Sequence, residues 1–270
     1  MTTSPRDEAT GYVPSVAYTY DWYERFLERL LDDGYSPASY DEPLDDGDLV
    51  VRHDVDLSPA RALDIGRIEA DLGIRSTFFF LLTNPLYNPF HRPNRRVIHD
   101  LVEMGHDVGV HFSTHQYWGE DPGDGAIETR VAAERDVFGT ALTDPSPAVS
   151  FHRPPEWVLS RSFDPFISTY ERRFFSDVQY VGDSSQRWRE SPPEVDGGPL
   201  QLLTHPGLWG TEDATFAQRV DEATEYQFER VAAFVQDEFV HDRNTIEEYD
   251  HRETLTPGRS EERSGGRRGG

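Results

Sequence analysis

Short hydrophobic runs alternate with amphipathic stretches along most of this chain. Runs at 49–51, 76–82, 106–111, 148–151, 174–181 and 200–204 predict strands, and aromatic and aliphatic residues dominate the run at 76–82, as in a strand buried on both faces. Apolar residues at helical spacing predict helices at 20–33, 59–72, 94–104, 125–139 and about 213–240. Regular alternation of strands and helices is typical of parallel α/β construction. The pattern therefore predicts one α/β domain, built either as a barrel or as an open parallel sheet.

The charge balance of the chain is extreme. Its 270 residues include 50 Asp and Glu against 26 Lys and Arg, for a net charge of −24, and all 26 of those cations are arginine. A high carboxylate density without lysine indicates adaptation to molar salt, where screening removes self-repulsion. We therefore interpret the protein as halophilic. The same charge argues against a nucleic-acid partner, because phosphate neutralisation needs a basic surface.

The chain contains no cysteine, which excludes disulfides, zinc–cysteine sites and cysteine nucleophiles. Residues 1–10 are polar and show no secretory signal, and no apolar run approaches the roughly 18 residues of a membrane span. We therefore expect a cytoplasmic protein. The last residues, rich in arginine and glycine, belong to a predicted disordered tail at 246–270.

Residues suited to metal binding follow the first and third predicted strands. Asp54 and Asp56 are two residues apart, so both side chains leave an extended chain on the same face. His111 and His115 are four residues apart, a spacing at which both imidazoles can turn toward one centre. Two imidazoles and one carboxylate leave coordination positions open, which is the catalytic rather than the structural pattern. These residues predict a metal-dependent hydrolase.

Three further strand ends carry candidate residues. Arg153 lies in an Arg-Pro-Pro turn, Asp183 follows a strand with Trp188 nearby, and His205 follows the last strand. Taken alone, each has a plain structural explanation: a surface cation on a prolyl loop, an Asx-turn with a packed tryptophan, and a structural histidine. Two more histidines lie beside the motifs, His53 and His152. They could donate hydrogen bonds to the groups that bind the metal, but packing or bonding to backbone is the favoured interpretation.

Taken in chain order, these motifs resemble the NodB-homology polysaccharide deacetylases, carbohydrate esterase family 4. The resemblance runs from about Leu49 to Pro206, and it includes the spacing between motifs and the segment 105–109 before the histidine motif. It implies a distorted (β/α)7 barrel of the NodB type, in a haloarchaeal-type member of the family. The domain boundaries we expect are an N-terminal extension and helix packing on the barrel at 1–40 and a deacetylase-like domain at 41–245.

The resemblance also implies roles for the metal-binding motifs. Asp54 matches the catalytic base and Asp56 a metal ligand, while His111 and His115 match the two metal-binding histidines. The family's two aspartates are usually adjacent, but Val55 separates them here. Which aspartate is the base and which the ligand therefore stays open.

Roles for the remaining motifs follow in the same way. Arg153 matches the arginine that holds the base carboxylate through charge-assisted hydrogen bonds. Asp183 matches the acid that orients the catalytic histidine, and His205 matches that histidine. Glu156 stands at a substrate-binding position where the family often has an aromatic residue, and its backbone N–H would serve the oxyanion hole. Whether its side chain alters the sugar contacts stays open. Trp188 would form a wall of the substrate pocket.

The activity that the resemblance implies is removal of an N-acetyl group from an amino sugar or glycan precursor. One divalent metal ion is the expected cofactor, zinc first, with cobalt, nickel or manganese also fitting two imidazoles and a carboxylate. Two alternatives stay open. One is a metal-dependent amidohydrolase acting on another C–N bond, such as a deformylase or cyclic amide hydrolase. The other is a catalytically inactive carbohydrate-binding relative.

Overall fold

A parallel sheet forms the centre of the protein in a computed structural model, which describes residues 16–239. The strands are β1 (Ser36–Pro37), β2 (Asp48–Val55), β3 (Thr77–Phe80), β4 (Asp107–Phe112), β5 (Ala148–Phe151), β6 (Ile167–Ser168), β7 (Gln179–Gly182) and β8 (Leu200–Thr204). Seven of them follow the order β6-β5-β4-β3-β2-β8-β7, and β1 pairs with the beginning of β2. All pairings are parallel, so the carboxyl ends of the strands share one edge of the sheet.

Helices connect most of the strands. They are α1 (Tyr20–Asp32), α2 (Pro59–Asp71), α3 (Arg92–Glu103), α4 (Asp124–Ala141), α5 (Arg172–Phe175) and α6 (Phe216–Phe239). The helices α2, α3 and α4 separate β2, β3, β4 and β5 in turn. This alternation confirms the predicted α/β class.

The sheet curls on itself, and side chains bridge the gap between its edge strands β6 and β7. Gln201 on β8 donates a hydrogen bond to the carbonyl oxygen of Thr169, which follows β6, over 3.2 Å. The ring of Tyr170 lies 6.4 Å from that of Tyr180 on β7. Across the interior, Arg52 on β2 donates to the Ser150 hydroxyl on β5 over 2.9 Å. Together these contacts define a distorted barrel with seven strands in its wall, as predicted.

Local sequence signals explain where the helices begin and end. The Ser58 hydroxyl caps α2 by accepting from the backbone N–H of Arg61, and Pro59 occupies the first turn, where it loses no hydrogen bond. Gly73 follows the helix with a φ of +74°, a conformation that favours glycine. The first helix, α1, buries one face of four apolar side chains: Tyr23, Phe26, Leu27 and Leu30.

The predicted strand at 174–181 differs from the structure. Phe174 lies in the short helix α5, and β7 begins only at Gln179. The guanidinium of Arg172 donates to the Asp177 carboxylate over 2.8 Å, and the backbone N–H of Asp177 donates to the Arg172 carbonyl. These bonds close a helical turn that the aromatic residues alone did not reveal.

The chain divides into two compact units, 1–220 and 221–270. The first contains the whole sheet and every candidate residue. In the described part of the second, α6 continues to Phe239, and Arg230 lies over the Tyr226 ring. The predicted extension before residue 16 and the predicted tail at 246–270 lie outside the described residues. Among residues 16–239, every helix is too short or too polar to cross a membrane.

Candidate active site

A cavity of about 610 Å³ opens where the central strands end. In parallel α/β proteins this edge of the sheet is where ligands bind. Arg153 lines the cavity, and so do five aspartates and histidines from the ends of four strands: Asp54, Asp56, His111, His152 and His205. Apolar side chains, including Leu57, Leu81 and Leu208, also line it.

Three possible metal-ligand atoms meet in this cavity: Asp56 Oδ1, His111 Nε2 and His152 Nδ1. The Asp56 oxygen lies 3.3 Å from the His111 nitrogen and 3.1 Å from the His152 nitrogen, and the two nitrogens are 3.2 Å apart. Ligands of a tetrahedral ion with bonds of about 2.0–2.1 Å are separated by about 3.3 Å. The triangle of Asp56, His111 and His152, which we call the ligand triangle, therefore has the size that a zinc-like ion requires.

Hydrogen bonding around the ligand triangle leaves its donor atoms available. His111 Nδ1 donates to the Ser150 carbonyl oxygen over 3.2 Å, so Nε2 keeps its lone pair. Within residues 16–239, the buried Asp56 Oδ1 accepts no hydrogen bond of good geometry. Burial raises the pKa of Asp56, but the two imidazoles outweigh it and hold that pKa far below its usual value. An anionic oxygen and two imidazole nitrogens thus converge, a donor set that fits a divalent cation.

Asp54 lies beside the ligand triangle and is only 2% exposed. Its Oδ1 is 3.8 Å from His111 Nδ1, and its Oδ2 is 3.9 Å from the Arg52 guanidinium. Burial raises the pKa of Asp54, but the charge of Arg52, followed by the nearby His111 imidazole, lowers it below its usual range. Asp54 is therefore an ionised carboxylate that lines the cavity without supplying an atom of the ligand triangle.

His205 is held by the buried carboxylate of Asp183. His205 Nδ1 donates to Asp183 Oδ1 over 2.6 Å, and the indole N–H of Trp209 donates to Asp183 Oδ2 over 2.8 Å. Burial lowers the pKa of His205, but the Asp183 carboxylate outweighs it and raises that pKa to about 9. The imidazole is therefore protonated at neutral pH. Its Nε2 lies in the cavity, 3.9 Å from Asp56 Oδ2.

The structure places His115 outside the ligand triangle. His115 lies in a short 3₁₀ turn after β4, its side chain is exposed, and its Nε2 is 2.9 Å from the Arg153 carbonyl oxygen. Arg153 has a φ of +46°, in the left-handed region, so this bond fixes a strained turn. His152, rather than His115, completes the ligand triangle, and the role of His115 as a metal ligand stays a prediction. The interpretation of His152 as a residue that packs or bonds to backbone therefore needs correction.

Three other predicted site residues lie in three different environments: on the cavity, on the surface away from it and in the core. Arg153 lines the cavity but is exposed, and its guanidinium makes no hydrogen bond or ion pair with any residue in 16–239. Glu156 is exposed in a 3₁₀ turn and does not line the cavity. Trp188 is 2% exposed and packs against Tyr18, Phe26 and Trp209, so it lies in the core rather than in a pocket wall. Two successive residues with positive φ turn the chain between Asp183 and Trp188: Ser185 and Gln186.

Sequence analysis missed three contributors to the site. His152 follows β5 directly, a strand-end position that was a usable signal. Arg52 was a weaker signal, as a lone cation inside an otherwise apolar strand. Nothing in the sequence pointed to the indole of Trp209 as a donor to Asp183, because that contact depends on the turn after β8.

Comparisons with known proteins give structural likeness alone. No protein-family model matches the chain, and no curated protein matches it in sequence. Similar solved structures include a chitin deacetylase from Colletotrichum lindemuthianum, at 14% identity and a TM-score of 0.38, covering 66% of this chain and 81% of that one. Peptidoglycan deacetylase PdaC from Bacillus subtilis has 12% identity and a TM-score of 0.41, covering 75% of this chain and 100% of that one.

A CE4 family pseudoenzyme from Bacillus anthracis is also similar, at 15% identity and a TM-score of 0.38, covering 73% of this chain and 66% of that one. Proteins described as deacetylases and as a pseudoenzyme thus appear together, and likeness at this level carries no conclusion about activity. The function has to be argued from the site itself.

Proposed function

We propose that this protein is a metal-dependent hydrolase that removes an N-acetyl group from an amino sugar or glycan precursor. One observation carries the proposal: three groups line the same cavity. They are the ligand triangle, the buried carboxylate of Asp54 beside it, and the protonated imidazole of His205. A metal site, a base and an acid are the groups that amide hydrolysis requires.

The ligand triangle would hold the metal ion. When bound, the ion supplies Lewis-acid polarisation of the substrate carbonyl and lowers the pKa of water. Two imidazoles and one carboxylate make zinc the first candidate, with cobalt, nickel and manganese as the others. His115 is the alternative third ligand; to serve, its imidazole would have to leave the Arg153 carbonyl oxygen.

Asp54 is the proposed general base. It takes a proton as water attacks the carbonyl carbon, because its Oδ1 accepts no hydrogen bond within residues 16–239 and its carboxylate is ionised. Asp56 is then the ligand, since it alone of the two aspartates contributes to the ligand triangle. This is the division of roles that we propose for the two aspartates on either side of Val55.

His205 is the proposed general acid. Its protonated Nε2 gives a proton to the amine as the C–N bond breaks, which releases acetate and the free amino group. Asp183 keeps the ring charged and fixes its orientation, and Trp209 holds Asp183 in turn. Arg153, an exposed cation on the cavity, is proposed to contact substrate, and the backbone N–H at Glu156 stays the predicted oxyanion donor.

The setting of the reaction is part of the proposal. A net charge of −24 without lysine supports a halophilic, haloarchaeal-type protein, and we propose that it acts in the cytoplasm on an acetylated precursor. The domain boundaries at 41 and 245 are proposed as well. The buried face of α1, which precedes that boundary, supports a helix packed on the barrel.

Metal analysis of protein purified in high salt, paired with acetate release from N-acetylhexosamine substrates, tests the proposal. We expect a bound divalent ion and metal-dependent acetate release, and Asp54→Asn should lower turnover by about 10²–10⁴-fold while metal is retained. Release of formate or opening of a cyclic amide would indicate the other C–N hydrolases. Bound metal without turnover would indicate an inactive carbohydrate-binding relative. A protein that binds no metal and shows no metal-dependent turnover would contradict the proposal outright.

A further inference from the structure

A buried arginine lies inside the barrel on the same strand as the proposed base. Arg52 is 0% exposed, and it precedes Asp54 by two residues on β2. Because side chains alternate along a strand, both residues point to the same face, while the intervening His53 points to the other. The sequence thus places a cation and an anion side by side in the barrel interior.

The Arg52 guanidinium is fixed from two directions. Its Nη1 donates to the hydroxyls of Ser150 and Thr169, and its planar group lies over the Tyr170 ring, 4.5 Å from the centroid. Its Nε and Nη2 have no hydrogen-bond partner among the described residues. Nη2 is the atom nearest the base, 3.9 Å from Asp54 Oδ2. A cation held in this way cannot swing out to solvent to meet another partner.

The two oxygens of the Asp54 carboxylate face different charged or ionisable side chains, and the Ser150 hydroxyl and His205 also act on this carboxylate. Oδ2 faces Arg52, whereas Oδ1 faces His111 at 3.8 Å and accepts no hydrogen bond from any residue in 16–239. A buried charge is costly unless an opposite charge lies beside it. His111 belongs to the ligand triangle, and Arg153 is exposed without an ion pair to a described residue, so Arg52 is the permanent cation at Asp54.

We infer that Arg52, rather than Arg153, is the positioning residue for Asp54: it supplies the buried counter-charge and directs the free oxygen of the carboxylate toward the ligand triangle. The catalytic part of this inference rests on the proposed function. The ion-pair part does not, because two buried charges affect folding whether or not the protein is a hydrolase.

The test is a double-mutant cycle on unfolding and on turnover, with Arg52→Met, Asp54→Asn and the double variant. Each single substitution leaves one buried charge without its partner, so each should lower the denaturation midpoint, and the double variant should recover part of that loss. In turnover, Arg52→Met should lower kcat by roughly 100-fold with little change in KM or metal affinity. In the Asp54→Asn background the same substitution should change kcat by less than about threefold.

Arg135→Met serves as the matched control. Arg135 is a partly buried arginine on α4 whose guanidinium donates to the carbonyl oxygens of Ser146 and Pro165, and the acids that act on its charge are Asp144 and Asp136 rather than Asp54. The effect of Arg135→Met on the denaturation midpoint should be additive with that of Asp54→Asn. Arg153→Met should likewise show no coupling to Asp54→Asn in unfolding.

The unfolding cycle separates failure of this inference from failure of the proposed function. Coupling between Arg52 and Asp54 can be measured from the denaturation midpoints even if the protein has no hydrolase activity. If the effects of the two single substitutions on the midpoint are additive in the double variant, the inference is overturned even in an active enzyme. If neither Arg52→Met nor the double variant with Asp54→Asn folds, the turnover of Arg52→Lys tests the inference instead, because lysine keeps the positive charge. A folded lysine variant that turns over faster than Asp54→Asn supports the inference. A lysine variant as slow as Asp54→Asn, or one that does not fold, overturns it.

Discussion

His152 and His115 are the two candidates for the third position among the proposed metal ligands, and their surroundings differ. His152 Nδ1 is 3.1 Å from Asp56 Oδ1 and 3.2 Å from His111 Nε2, whereas His115 is engaged with the Arg153 carbonyl oxygen. The resemblance favours His115, and the geometry favours His152. At the scale of single residues, the identity of the third ligand is the sharpest question that the site raises.

Substitution of each histidine answers it. His152→Ala should weaken metal binding by at least about 100-fold, because it removes a donor from the ligand triangle, and His115→Ala should weaken it by no more than about tenfold. Titration with Co²⁺, followed by its visible absorption, measures both affinities. His111→Ala, a ligand on either view, is the reference for complete loss. The reverse order of the two affinities would restore His115 as the ligand.

At the scale of secondary-structure elements, a second buried carboxylate ties the helices to the sheet. Glu69 on α2 is 0% exposed and accepts hydrogen bonds from the Tyr23 hydroxyl on α1, from His53 on β2 and from Ser76 before β3. His106 joins the network through Ser76 Oγ, 3.0 Å from its Nδ1. Burial raises the pKa of Glu69, but His53 outweighs it and holds that pKa below its usual 4.5.

Glu69→Gln should therefore destabilise the protein by on the order of 3 kcal/mol near neutral pH, since an amide cannot accept all these donors. A carboxyl whose folded pKa is depressed stabilises the fold above its unfolded value of 4.5, and that stability is lost as the pH falls. The difference in unfolding midpoint between the wild type and Glu69→Gln should shrink from pH 7 toward pH 3. Asp71→Asn, an exposed acid on the same helix, is the control; a gap that stays constant with pH would contradict the assignment.

Some features of these elements could be predicted from the sequence and others could not. The strand β8 and the helix α1 were predictable because apolar patterning and caps are local signals. Three features were not predicted: the place of His152 in the ligand triangle, the exposure of Arg153 and the burial of Trp188. Turns with positive φ at Arg153, Ser185 and Gln186 accompany these features. Residues other than glycine rarely adopt that conformation, so no propensity predicts it. Arg52 was missed because patterning treats a charge in a strand as an interruption rather than as half of a buried pair.

At the scale of the whole molecule, charge sets the conditions under which the fold is stable. A net charge of −24 over 270 residues places many carboxylates within reach of one another at low salt. The Debye length, the distance over which exposed charges interact, falls from about 10 Å at 0.1 M to about 3 Å at 1 M ionic strength. The 50 acids outnumber the 26 arginines, several of which already form ion pairs such as Arg189 with Asp213, so a surplus of negative charge remains however the residues pair.

The thermal unfolding midpoint should therefore rise by several degrees as KCl increases from about 0.2 M to about 2 M. The double variant Glu42→Gln/Asp46→Asn removes two exposed acids that form no ion pair with a residue in 16–239, so it should be more stable at low salt and equal to the wild type at high salt. Sucrose raises the midpoint of both proteins without screening charge, and it should leave their difference unchanged. Midpoints that respond to sucrose but not to KCl would show that self-repulsion is not what limits this fold.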